Sequence, residues 1–153
     1  MDTIETTLRS HPRAEPQRVK PFAEAIHLLA ECAETCTSCA DACLAEEAHL
    51  QHLTGCIRVN LDCAEVCALT ARLLGRTAGT PPPLLHAQLH ACVIACQLCA
   101  DACGSHAAEH AHCRVCAETC RRCQTRCNFL LGEISSAGVA EDVDPLESPT
   151  IQP

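Results

Sequence analysis

Four stretches of the chain place an apolar residue at every third or fourth position, and in each the recurring residue is cysteine. Cys32, Cys36, Cys39 and Cys43 step by 4, 3 and 4, and Cys92, Cys96, Cys99 and Cys103 repeat those steps. Cys113, Cys116, Cys120, Cys123 and Cys127 step by 3, 4, 3 and 4, while Cys56, Cys63 and Cys67 step by 7 and 4 with Asn60 in the gap. Such spacing follows one stripe of an α-helix, the stripe that a bundle turns inward. The intervening residues are mostly Ala, Leu, Glu, Arg and Gln, which favour helix. The pattern predicts helices over about 21–50, 53–74, 83–103 and 107–131. Pro21 and Pro83 fit first turns, and Gly75 and Gly104 fit the stops.

Two of these stretches repeat the other two. Cys36-Thr-Ser-Cys39-Ala-Asp-Ala-Cys43 matches Cys96-Gln-Leu-Cys99-Ala-Asp-Ala-Cys103, and Cys63-Ala-Glu-Val-Cys67 matches Cys116-Ala-Glu-Thr-Cys120. Two related helical hairpins joined by the proline-rich stretch around residues 75–83 imply an all-α fold, an up-down-up-down antiparallel four-helix bundle with a Cys-lined core. Residues 1–20 read as an N-terminal extension with a short helix that carries Ile4 and Leu8 on one face. Residues 21–131 read as the metal-binding bundle. Residues 132–153 hold five acidic and no basic residues and read as a disordered tail.

Folding the hairpins in register stacks the seam in layers. Cys43, Cys56, Cys103 and Cys113 lie next to the tight turns. Below them come Cys39, Asn60, Cys99 and Cys116, and then Cys36, Cys63, Cys96 and Cys120. Cys32, Cys67, Cys92 and Cys123 form the fourth layer, with Cys127 beneath. Extending the seam toward the turns reaches His110 and His106 on the fourth helix and His52 on the second, with His49 and His112 one step off it. The opposite end offers Leu28, Leu29, Leu73, Leu74, Leu85, Leu89, Phe129, Leu130 and Leu131 as an apolar plug. One end is thus expected to be polar and open, the other dry and sealed.

Composition sharpens this picture. Sixteen cysteines in 153 residues lie above the level that signals a disulfide scaffold or a metal site. The N-terminus shows no basic region followed by an apolar run, so a cytoplasmic location with reduced thiols is expected, where dense cysteine points to metal. No run approaches the apolar length of a membrane-spanning helix. A net charge of −8 argues against binding nucleic acid or an anionic membrane.

Buried cysteine can serve as a small hydrophobe. Sixteen on inward stripes are poorly explained that way, since Ala or Val would pack without the oxidation hazard. Thiolates select Cu(I), Zn(II) or iron–sulfur clusters, and the cysteine run typical of clusters is absent. One four-Cys layer could hold a structural zinc, and spacing alone leaves that open. A continuous ladder of similar sites looks instead like a store of many ions. With two thiolates per Cu(I), sixteen thiols would hold roughly 8 ions unshared and on the order of 16 with full bridging.

The motifs Cys36-x2-Cys39-Ala-Asp-Ala-Cys43, Cys56-Ile-Arg-Val-Asn-Leu-Asp-Cys63-Ala-Glu-Val-Cys67 and His112-Cys113-Arg-Val-Cys116-Ala-Glu-Thr-Cys120 resemble those of the copper storage proteins, cysteine-lined four-helix bundles, and the lack of a signal points to their cytosolic branch. The resemblance spans about residues 22–131. It implies Cu(I) held by thiolates inside the bundle, a homotetramer, and His106, His110 and His112 at the mouth of the bundle.

Three readings compete. The first is storage and sequestration of many Cu(I) ions, with metal taken up at the His-rich end. The second is storage of another thiophile such as Zn or Cd. The third is a thiol redox or metal-sensing switch. No enzyme is expected, since no nucleophile set stands out and the two Glu-x-x-His elements, Glu46 to His49 and Glu109 to His112, lack the further glutamates of a di-iron centre.

Overall fold

The computed structural model describes residues 2–76 and 79–136. Among these the regular secondary structure is all helical: α1 (Thr3–Arg9), α2 (Pro16–Ala45), a 3-10 turn (Glu47–His49), α3 (Leu50–Leu74), α4 (Pro82–Gly104) and α5 (Ala111–Ser136). α1 begins at Asp2, whose carboxylate accepts from the Glu5 N–H at 2.8 Å and so satisfies one of the free N–H groups of the first turn. It packs on α2, where His27 Nε2 lies 3.1 Å from the Asp2 carboxylate.

Helix boundaries depart from the sequence pattern in ways that matter at the two ends. α2 starts five residues before Pro21, with Pro16 in its first turn and Pro21 inside it. Pro21 removes one intrahelical hydrogen bond. Burial of Val19, Phe22 and Ala23 on the same helix outweighs that loss. α5 runs on to Ser136 and buries Ile134, so residues 132–136 are helix and not the start of a disordered tail, and the rest of that stretch lies outside the described residues. At the other end α2 stops at Ala45, and α5 begins only at Ala111. The segment 105–110 is a series of turns, so His106 belongs to a loop and not to a helical seam.

α3 packs beside α2 and α4, and α5 beside α4 and α2. The thiol contacts give the sense of each pair. Along α2 and α5, Cys43 meets Cys113 and Cys32 meets Cys120, so one helix descends as the other rises. Along α3 and α4 the partners are Cys56 with Cys103 and Cys67 with Cys92. Both turns therefore lie at one end. Outer ion pairs tie α5 to α2, Arg122 to Glu31 and Arg126 to Glu24, each at 3.2 Å. Exposed as they are, such pairs contribute at most about 1 kcal/mol each.

The end away from the turns is sealed by Leu29, Leu73, Leu74, Leu85, Leu89 and Leu130, joined by Phe22 and Ile134, all buried. Each fully buried leucine stabilises by about 1.5–3 kcal/mol. Leu28 and Leu131 are only partly buried, and Phe129 points outward at 50% exposure, so it is not part of the plug.

α4 also corrects the reading of hydropathy. By length and composition it is apolar enough to cross a membrane. Counting uninterrupted apolar residues misses this, because polar His and Gln break the run while Asp101 is its only charge. Its cysteine face, however, is buried against α3 and α5.

Candidate metal centre

All sixteen cysteines are free and buried. Ala residues flanking them, including Ala33, Ala40, Ala64, Ala100 and Ala117, are buried too and let the helices approach closely. The sulfurs form one continuous column. From the turn end, Cys56 lies 3.2 Å from Cys103 and Cys43 lies 3.9 Å from Cys113. Further in, Cys36 lies 3.6 Å from Cys120 and Cys63 lies 3.8 Å from Cys96. At the bottom, Cys92 lies 3.8 Å from Cys67 and 3.7 Å from Cys127.

The layers are not flat, as drawn from sequence, but staggered. Cys36 also contacts Cys99 at 3.9 Å and Cys116 at 3.7 Å, and Cys67 contacts Cys96 at 3.7 Å. Donor groups therefore overlap. Cys32, Cys63, Cys67 and Cys96 converge within 4.8 Å of one another, and so do Cys67, Cys92, Cys96 and Cys123. Cys36, Cys99, Cys116 and Cys120 make a third such group, and Cys32, Cys36, Cys63 and Cys120 a fourth. Shared members make these groups a ladder of bridging donors, which suits an ion that accepts few ligands and bridged thiolates.

Asn60 interrupts the ladder. Fully buried, its Oδ1 accepts from the thiols of Cys99 at 3.0 Å, Cys116 at 3.2 Å and Cys103 at 3.3 Å, and its Nδ2 donates to Cys56 at 3.7 Å. At the sealed end the column stops at Thr70, whose hydroxyl donates to the Val66 carbonyl and accepts from Gln88. Neither Thr70 nor Gln88 was singled out in the sequence, although Thr70 follows Cys67 at a seam spacing.

The histidines sort differently from the seam extension. His52 is exposed on the first turn of α3, and the inward position before Cys56 belongs to Leu53, which is fully buried. His106 is half-buried in the loop before α5, and His110 is buried just ahead of that helix. His112, placed one step off the seam, is the histidine that reaches sulfur. Its Nδ1 lies 3.5 Å from Cys39, 3.5 Å from Cys113 and 3.9 Å from Cys43. These four residues converge as a mixed sulfur–nitrogen donor set at the mouth. The cause is the late start of α5, which leaves His112 in its first turn with the ring leaning over α2.

Glu46 was noted in the sequence only as half of a Glu-x-x-His element. Its Oε1 stands 3.2 Å from both His110 Nδ1 and His112 Nε2. The His112 hydrogen bond, ahead of the charge of His110, holds the Glu46 carboxyl below its usual range. The His110 ring stacks on His112 with centroids 5.4 Å apart and meets His49 edge-on at 5.5 Å.

Burial, followed by repulsion from Cys43, pushes the Cys113 thiol up to about 12. Cys43 is raised as well, again chiefly by burial. Both are therefore neutral at pH 7, and binding a cation there would displace their protons. Among the described residues no buried side-chain nitrogen or oxygen lacks a partner. The metal-free column is thus a satisfied interior.

The comparisons agree with this chemistry. The chain resembles the copper storage protein Ccsp of Streptomyces lividans loaded with 10 copper equivalents, at 43% identity over 85% of this chain and 98% of that one, with a TM-score of 0.81. It resembles a cytosolic copper storage protein from the same organism with five coppers at 44% identity, over 77% and 98% of the two chains, with a TM-score of 0.74. A 57-residue stretch is 37% identical to the uncharacterized cysteine-rich protein YhjQ of Bacillus subtilis (strain 168). The match covers 37% of this chain and spans about half of that curated relative, 52% of its length. Residues 18–132 match the family of copper storage proteins, and with three quarters of its length matched the chain belongs to that family.

Proposed function

We propose that the protein stores copper as many Cu(I) ions inside an up-down-up-down antiparallel four-helix bundle, taking them up at the histidine-lined turn end. The observation that carries this reading is the column of sixteen buried, unpaired thiols, many of them in groups of four that share members. The ligands are the sixteen cysteines. His112 completes the mouth set, while His110, His106 and His52 line the rim that an arriving ion crosses.

The chemistry follows from charge. An ion held by two thiols displaces two protons and leaves the pair with one net negative charge: Cu⁺ + 2 RSH → Cu(SR)₂⁻ + 2 H⁺. Accumulating such charge in a buried column is costly. Thiolates that bridge neighbouring ions lower the ratio of sulfur to copper toward one, where the column is neutral. Overlapping donor groups make bridging available along the inner column. Filling therefore favours shared thiolates over isolated pairs, with an upper limit on the order of 16 ions per chain.

The sealed leucine end directs exchange through the mouth and shields Cu(I) from water and oxygen. Such a device transforms no substrate, so the protein is not an enzyme. A cytoplasmic location keeps the thiols reduced, as the loading requires. A homo-oligomer is supported by α4, whose outer stripe of Leu84, Ala87, Ala91, Ile94 and Leu98 is exposed and uncharged, a surface suited to a second copy of the chain.

The test is anaerobic titration of the reduced protein with Cu(I) against a strong Cu(I) chelator. A count near or above ten per chain, held in competition, is expected. One or two ions would leave most thiols as packing groups and overturn storage. Preferential retention of Zn(II) or Cd(II) would favour the other thiophiles.

A further inference from the structure

Glu46 belongs to none of the donor sets, yet it is built into the mouth. It caps the C-terminus of α2, where its N–H bonds the Cys43 carbonyl at 3.2 Å, and the chain then turns into the 3-10 segment. That turn carries its carboxylate across to the start of α5. There a single oxygen meets one ring nitrogen of His110 and one of His112, each at 3.2 Å.

Of the two contacts, the one from His112 has hydrogen-bond geometry, and because a carboxylate only accepts, it is His112 Nε2 that carries the hydrogen. For His112 the consequence is directional. With hydrogen on Nε2, the neutral ring keeps its lone pair on Nδ1, the atom 3.5 Å from the sulfurs of Cys39 and Cys113. A ring free to flip would present a carbon or an N–H to the same thiols. The buried His110 confines the carboxylate from the other side, with Nδ1 3.2 Å from the same oxygen and its ring stacked on His112.

We propose that Glu46 is a positioning residue for copper uptake: its carboxylate holds the His112 ring with Nδ1 aimed at the Cys39–Cys43–Cys113 thiols, so that an arriving ion meets a nitrogen donor already directed at sulfur. Carboxylates that orient ligating histidines commonly change metal affinity or activity by 10–100-fold when removed. The proposal rests on the storage reading for its consequence, uptake, but the ring orientation exists without metal.

The experiment uses the full chain and four variants, Glu46→Ala, Glu46→Gln, His112→Ala and the Glu46→Ala/His112→Ala double, each checked for helix content by circular dichroism. In the reduced, metal-free protein, nitrogen NMR of the imidazoles is expected to find His112 with hydrogen on Nε2 alone, and a mixture of tautomers in Glu46→Ala. Anaerobic uptake from a weak Cu(I) complex, followed by thiolate-to-copper absorption, is expected to slow by roughly 10-fold in Glu46→Ala and in His112→Ala. Glu46→Gln, which keeps an accepting oxygen, should be intermediate, and the final count should be unchanged in the two single Glu46 variants.

The double variant decides the mechanism. If Glu46 acts through His112, the double is no slower than His112→Ala. Multiplicative slowing in the double, wild-type uptake in Glu46→Ala, or an unaltered His112 tautomer in Glu46→Ala would each overturn the proposal. Uptake of only one or two ions by the wild-type chain would instead sink the storage reading, and the tautomer measurement would still judge the ring orientation on its own.

Discussion

Asn60→Cys would restore the one missing rung of the thiol column, and its two effects should run in opposite directions. In the metal-free protein the Asn60 oxygen accepts from three thiols at 3.0, 3.2 and 3.3 Å. A net hydrogen bond is worth about 1 kcal/mol, and S–H is the weaker kind of donor, so losing three costs about 1–2 kcal/mol. The two side chains are close in volume, so no cavity adds to this. For a chain of 153 residues the melting temperature should fall by roughly 3–6 °C. With copper the sign reverses. The new sulfur would stand among Cys56, Cys99, Cys103 and Cys116, and at one ion per bridging thiolate the chain should hold about one more. Anaerobic Cu(I) titration against a chelator reads the count, and the luminescence of buried copper–thiolate clusters should rise with it. A folded variant with unchanged capacity would refute the reasoning, because position 60 would then not line the path that copper fills.

Two further outcomes follow from the same structure. Ile94→Glu or Leu98→Glu places a charge in the exposed apolar stripe of α4 through which we propose that copies of the chain associate; light scattering should show an oligomer for the unaltered chain and a single chain for either variant, with copper per chain constant, and an oligomer that persists in the variants would remove α4 from the contact. Burial raises the Cys113 thiol from 9.0 to about 12 and raises Cys43 in the same direction. A raised folded-state value stabilises fully below the unfolded thiol's range and is lost as pH climbs through the folded one, so the melting temperature of metal-free protein should decline between about pH 9 and 12. Copper-loaded protein, whose thiols have already lost their protons, should show little of that decline; an alkaline-insensitive metal-free melt would mean that these thiols are not buried neutral groups.

The seam was legible because a helix repeats near 3.6 residues and cysteine marks the inward stripe almost without interruption. That periodicity places Cys43 opposite Cys113, and Cys56 opposite Cys103, from spacing alone. What periodicity cannot reach is the end of a helix. Extending it backward from Cys113 presumes that α5 continues to His106, whereas the chain leaves helical geometry at residue 110 and brings His112 over the sulfurs instead. The same extension from Cys56 lands on His52, but the inward position is taken by Leu53, three residues before and apolar. Glu46 was hidden for a related reason: its role depends on a contact between residues 66 positions apart, made by a turn whose geometry no pattern encodes. Pro21 misled in the other direction. A proline reads as a helix start, yet the burial of Phe22 and Val19 carries α2 through it.

The sealed column also separates a store from a structural metal site. A small zinc domain needs its metal because the ligands are its core, and without the ion the chain unfolds. In this protein the backbone hydrogen bonds are closed within the helices, the leucine plug is apolar, and the thiols pack against one another, three of them donating to Asn60. The interior is complete before any metal arrives. On the storage reading, copper replaces protons between sulfurs that already stand 3.2–4.0 Å apart, and removal returns the protons without dismantling a helix. A store must be able to empty, and a fold that is complete without its cargo can do so repeatedly.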